Sequence, residues 1–131
     1  MLFFDRITQY KGLHRLFAAV DLLRRRGIAF KLTIAGSGDL DDYRQQLTAP
    51  DVEAQNSWLD EEAVANTLAV SDIVVLPYDL SSQSGIAAAA CAVRRPVVAA
   101  PVGGLNEQVL PSTGVLAKDM SAEAFAEALP A

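Results

Sequence analysis

Apolar residues in this chain fall into two alternating patterns. Residues 1–4, 30–35, 73–76 and 96–99 are short, dense runs with the length and character of buried strands. Between the first two runs the period changes. Leu13, Leu16, Phe17, Val20 and Leu23 recur at helical spacing and predict a helix over 12–26 with one apolar face. Arg24, Arg25 and Arg26 lie in its last turn, where cations suit the helix dipole, and Gly27 can cap it. Further helices are expected over 39–47, 60–69, 85–93 and 121–129. Asp60, Glu61 and Glu62 open the second of these, and Ser121 can N-cap the last. Weaker strands are expected over 52–54 and 114–117. Strands thus alternate with helices, which predicts an α/β fold: a Rossmann-like three-layer α/β/α sandwich around a parallel sheet. No repeat, linker or composition shift divides the chain, so residues 1–131 read as a single domain. Its first residue already lies in a strand, which leads us to expect a piece of a longer protein.

Composition narrows the classes of function. With 131 residues, 51% of them hydrophobic, the chain can bury roughly two-thirds of the surface it would expose unfolded. The formal net charge of -5 argues against duplex nucleic acid as a partner, because phosphate contacts need a basic surface. It does not exclude a phosphorylated small molecule held by a few local cations. Cys91 is the sole cysteine, which excludes an internal disulfide and fits a cytoplasmic setting. One cysteine and one histidine cannot make a zinc site, so no metal is expected. No run of about 18 apolar residues is present to span a membrane. Residues 1–4 are too short for the core of a signal peptide.

Ligands of parallel α/β sheets bind beyond the carboxyl ends of the strands. The loops expected there are 5–11, 36–39, 77–84 and 101–107. The first carries Arg6 and Lys11, and the third ends in Ser84, Gly85 and Ile86 at a helix start. Amides at a helix start, with nearby cations, suit a diphosphate: Arg grips two oxygens and Lys supplies a mobile charge. Each feature also has a plain structural reading. From spacing alone Arg6 and Lys11 read more readily as surface cations, and Ser84 as a simple helix cap. The glycine pairs Gly36/Gly38 and Gly103/Gly104 read as tight turns. His14 reads as a surface residue, Cys91 as a small core filler, and Trp58 as edge packing or the border of a base pocket.

Taken in order, the pieces carry a resemblance over nearly the whole chain. Asp5-Arg6 through Lys11-Gly12-Leu13, Ala35-Gly36-Ser37-Gly38, Ser71-Asp72 through Pro77-Tyr78, Ser84-Gly85-Ile86 and Pro96 through Gly103-Gly104-Leu105-Asn106-Glu107 follow one another. This series resembles the second, nucleotide-sugar-binding domain of retaining GT-B glycosyltransferases, the glycosyl transferases group 1 or sucrose-synthase-like group. The resemblance implies one half of a GT-B fold, lacking the N-terminal acceptor domain. It implies a nucleotide-diphosphate sugar as donor substrate with no other cofactor, and retaining transfer of the glycosyl group to an acceptor hydroxyl in the intact enzyme. It places Arg6, Lys11 and the amides of Ser84, Gly85 and Ile86 on the diphosphate, and Leu59 at the nucleobase. Arg6 and Lys11 would then stabilise the leaving group. The acceptor, a glycan or lipid-linked glycan, would be held by the other domain, in the cytoplasm or at the inner face of a membrane. The isolated chain is expected to be inactive.

The chain departs from the family pattern at several positions. Asp5 stands where glycine is usual. Ser81 and Ala89 stand where many members carry paired glutamates, and Arg94 replaces an expected glycine. These departures keep a second reading open, a non-catalytic nucleotide-binding or partner-docking module. A GT-B epimerase or phosphorylase half would need acid/base groups or a cofactor lysine context that the sequence does not show.

Overall fold

A computed structural model describes residues 1–7, 11–56, 60–81 and 84–129. Six strands, β1 (Leu2–Phe4), β2 (Leu32–Gly36), β3 (Val52–Asn56), β4 (Val74–Leu76), β5 (Val97–Ala99) and β6 (Gly114–Leu116), form one sheet. Their order is β3-β2-β1-β4-β5-β6, and every pairing is parallel. The helices are α1 (Leu13–Arg25), α2 (Arg44–Leu47), α3 (Glu61–Ala69), α4 (Gly85–Ala92), α5 (Leu105–Gln108) and α6 (Ala122–Ala128). The strand order reverses direction at β1. Right-handed crossovers therefore place α1 on one face and α3 and α4 on the other. α6 returns to pack on α1, and α3 lies beside α4.

The central strands β1, β2, β4 and β5 carry the core, as the middle of a parallel sheet requires. The edge strands are more open: Glu53, Ala54 and Gln55 of β3 and Val115 of β6 are exposed. Val74, Val75 and Leu76 of β4 are fully buried, as are Phe3 and Ile34. Leu13, Leu16, Phe17, Val20 and Leu23 form the buried stripe of α1, the face expected from their spacing. Its end is a Schellman turn. Gly27 sits at φ 73°, its amide donates to the Arg24 carbonyl, and the Ile28 amide donates to that of Leu23. Arg24 leaves the helix end to make a two-bonded ion pair with Asp51. That pair holds the Asp51 carboxyl below its usual range.

Several expectations change in detail. The segment expected as a helix over 39–47 is a 3-10 turn, Asp41–Tyr43, followed by the single turn of α2. Neither piece contains a fully buried residue, and only Tyr43 and Leu47 pack partly against the core, too little to hold a longer helix. The strand expected from residue 30 starts at Leu32, and Phe30 packs its ring near the Arg24 guanidinium instead. β3 runs two residues further than expected because it pairs along the whole of β2. Cys91 is exposed rather than core. Ala87 and Ala90 turn toward the sheet, and Cys91, about 100° further round α4, does not.

Candidate switch-point site

The strand order changes direction between β1 and β4, so their carboxyl ends border the crevice where such sheets bind ligands. Asp5 follows β1 directly, and Pro77 and Tyr78 follow β4. Three side chains meet there. The Tyr78 hydroxyl donates to Asp5 Oδ2 at 2.5 Å, and Lys11 Nζ reaches the same oxygen at 3.1 Å. The Lys11 ammonium also lies 4.6 Å from the centre of the Tyr78 ring, a cation–π distance. Asp5 Oδ1 accepts from the Arg6 amide at 2.6 Å. The Asp5 carboxylate is thus pinned by Tyr78, by Lys11 and by the backbone. Burial pushes the Tyr78 phenol well above its ordinary value of 10.0. The Asp5 charge and hydrogen bond push the same way, and the nearby Ser84 hydroxyl pulls against them.

Glycines let the loops approach one another closely enough to build this corner. A Cβ on Gly12 would lie 1.7 Å from the Pro77 carbonyl oxygen, and its φ is 73°. Lys11 is therefore followed by the one residue that lets α1 start directly against the β4 loop. A Cβ on Gly103 would fall 1.7 Å from the Ser81 carbonyl oxygen. That contact presses the loop after β5 against the loop after β4.

Arg15 fastens the same corner from α1. It donates to the Pro77 carbonyl at 2.6 Å and the Met120 carbonyl at 2.7 Å, and pairs with Asp79 at 2.8 Å. Sequence reasoning passed it over. A signal existed: a cation in the first turn of a helix opposes the dipole, so it needs a partner elsewhere. His14 is exposed, 4.0 Å from Asp79, as its lone position suggested.

Helix α4 starts beside this corner. Ser84 is its N-cap, with the side chain accepting from the Ala87 amide. The Ser84 amide, assigned from the resemblance to the diphosphate, is already occupied. It donates to Gln108 Oε1 at 2.8 Å, while Gln108 Nε2 donates to the Ser84 carbonyl at 3.1 Å. Gln108, on the unforeseen short helix α5, therefore grips the start of α4 with both ends of its amide. The Gly85 and Ile86 amides have no partner among the described residues. The Arg6 side chain is exposed and makes no ion pair among the described residues. Leu59 and Trp58 lie outside the described residues. Ala89 lines an apolar groove of about 580 Å³ between α3 and α4, with Val64, Ala65, Leu68 and Val93.

The structure therefore brings Lys11 and the start of α4 to one corner, joined through Tyr78, while the Arg6 side chain is exposed beside Asp5. The described residues contain no group of three or more His, Cys, Asp or Glu able to hold a metal. None of their helices is long and apolar enough to cross a membrane.

Known proteins are similar to this chain in sequence and in fold. The D-inositol 3-phosphate glycosyltransferase of Pseudarthrobacter chlorophenolicus is 34% identical over 140 residues, covering 100% of this chain and 33% of that protein. A sucrose-phosphate synthase from Thermosynechococcus elongatus superposes with a TM-score of 0.84 at 25% identity, covering 97% of this chain and 34% of that one. Anabaena HepE, solved in complex with UDP-glucose, superposes with a TM-score of 0.81 at 22% identity, covering 96% of this chain and 36% of that one. The chain thus spans about a third of the length of these proteins. The family model of glycosyl transferases group 1 matches residues 1–131, and the chain belongs to that family.

Proposed function

We propose that this chain is the donor-binding domain of a retaining glycosyltransferase and takes a nucleotide-diphosphate sugar at the switch point. The observation that supports this is that Tyr78, at the crevice between β1 and β4, touches Lys11 on one side and the Ser84 hydroxyl at the start of α4 on the other, where the Gly85 and Ile86 amides have no partner among the described residues. Arg6 and Lys11 would neutralise the diphosphate as the glycosidic bond breaks and charge builds on the leaving group. The amides would add fixed dipoles at the same place. The nucleoside would lie toward the α3–α4 groove, with the backbone at Leu59 against the base. The Ser84 amide is spent on Gln108, so its part is to cap and orient α4.

The acceptor, a glycan or lipid-linked glycan, would be held by a further domain, in the cytoplasm or at the inner face of a membrane. HepE, with its bound UDP-glucose, supports a nucleotide sugar as donor. Calorimetric titration with UDP, GDP, ADP and dTDP, and with the matching nucleosides, tests the reading. One diphosphate should bind at least tenfold tighter than its nucleoside, since two cations and helix amides face its charge. The pair Arg6→Ala and Lys11→Ala should erase that difference. Unchanged diphosphate binding in the double variant sinks the assignment of these residues.

Asp5 and Ala89 favour a second reading, a nucleotide-binding module without transfer. Asp5 brings negative charge to the corner, and Ala89 offers no carboxylate to a ribose. This reading predicts nucleotide binding but no glycosyl transfer even when the remaining domain is supplied.

A further inference from the structure

The switch-point corner contains an anion of its own. We propose that Asp5 is a built-in competitor for Lys11, one that sets how strongly the site prefers a diphosphate over an uncharged nucleoside. The inference rests on the reading of this corner as a diphosphate site and adds a specificity-determining residue to it.

The carboxylate cannot simply swing away when a ligand arrives. Its Oδ2 accepts from Tyr78, a residue only 1% exposed, and its Oδ1 accepts from the Arg6 amide. Removing Asp5 from this place would strand a buried phenolic donor, which is costly. Lys11 is the movable partner. Its side chain is 27% exposed, on a flexible stem, and its other contact is with a ring face. A diphosphate would therefore draw Lys11 off Asp5 and leave the carboxylate standing at its edge. Arg15 does not offset it, because its charge is already matched by Asp79. Arg6 is then the only other side-chain cation among the described residues of the crevice mouth without a carboxylate partner. The site meets its ligand with one of its two mobile cations pre-neutralised.

This predicts a gain on removing the charge. Asp5→Asn keeps an acceptor for Tyr78 and should tighten nucleoside diphosphate binding by roughly tenfold. Binding of the matching nucleoside should stay within about twofold, because only the diphosphate feels the charge. In a Lys11→Ala background the gain from Asp5→Asn should shrink to about threefold or less, since the competition has gone. A second variant, Asp5→Gly with Tyr78→Phe, removes carboxylate and phenol together. It should show the same diphosphate-specific gain without an unpaired buried hydroxyl.

The probes are UDP, GDP, ADP and dTDP with their nucleosides, titrated into the whole chain at fixed salt. A diphosphate-selective gain in both Asp5 variants supports the inference. So does binding that becomes measurable only in them. A diphosphate that binds the wild-type chain but gains nothing in either variant overturns the inference and leaves the donor-site reading standing. Equal gains for nucleoside and diphosphate overturn it too, because they report a structural change. No binding by the wild-type chain or by either variant overturns both.

Discussion

At the scale of single residues, two side chains carry measurable consequences. Arg94 has φ 58° and is the only non-glycine residue with positive φ among those described. It follows α4, where the chain turns back toward β5. The departure from glycine noticed in the sequence therefore has a backbone meaning: the turn needs the left-handed region, and arginine holds it under strain. Arg94→Gly should raise stability by about 0.5–1 kcal/mol, after the entropy cost of glycine is subtracted from the relieved strain. Urea unfolding reads it through the midpoint, and a fall in midpoint refutes the strain. Tyr78 is the second case. Its folded-state pKa lies above the ordinary 10.0, so above that pH the unfolded chain sheds the proton first. The stabilising term is complete below pH 10 and declines above it, by about 1.4 kcal/mol per pH unit. Tyr78→Phe should flatten this alkaline limb while costing stability at neutral pH through the lost bond to Asp5. An unchanged slope between pH 10 and 11 would mean the phenol ionises freely in the native chain.

At the scale of elements, the α1 face, the strand cores and the caps were legible in the sequence because each is a local matter of period and end chemistry. Asp60 and Ser121 cap α3 and α6 by accepting from amides three residues on, in keeping with their residue types. What could not be read locally is how loops grip one another. Gln108 looks like an ordinary polar residue after a glycine turn, yet it bonds both backbone groups of Ser84, 24 residues earlier. The same is true of Arg15, whose partners at Pro77 and Met120 lie 62 and 105 residues away. Lys11 was found as a cation, but its engagement by Asp5 and Tyr78 depends on which strand neighbours which. A consequence at this scale concerns α4. Gln108→Ala frees the Ser84 amide and removes the brace between α5 and α4. It should cost about 1–2 kcal/mol of stability, because two bonds to partly buried backbone are lost. It should also quicken amide hydrogen exchange at residues 84–88, the first turn of α4. Unaltered exchange there would show that the Ser84 hydroxyl cap alone fixes the helix start.

At the scale of the whole molecule, the sheet has two halves, β3-β2-β1 and β4-β5-β6, and they meet at a short seam. β1 and β4 share one register pair, Leu2 with Val74, whereas β2 and β3 share five and β4 and β5 share three. The seam beyond that pair is held by side chains and loop contacts: Gly12 against Pro77, Tyr78 on Asp5, and Arg15 across to Pro77, Asp79 and Met120. The candidate site lies on this seam, with Lys11 on one half and the start of α4 on the other. A bound diphosphate would join the halves where the sheet itself does so least. Arg15→Ala should therefore destabilise the chain by about 3 kcal/mol, since it leaves Asp79 unpaired and two carbonyls without donors. The loss should appear first as faster hydrogen exchange in β4 and the loop after it, with exchange in β2 and β3 little changed. Ligand should then restore part of what Arg15 supplied. At a hundredfold excess over its dissociation constant, a bound nucleotide stabilises by about 2.7 kcal/mol through mass action alone. If it bridges the seam, that stabilisation should slow exchange at residues 74–79 of Arg15→Ala more than at β2 and β3. Uniform slowing across the whole sheet would show only global stabilisation by mass action, and would overturn the idea that the ligand closes the seam.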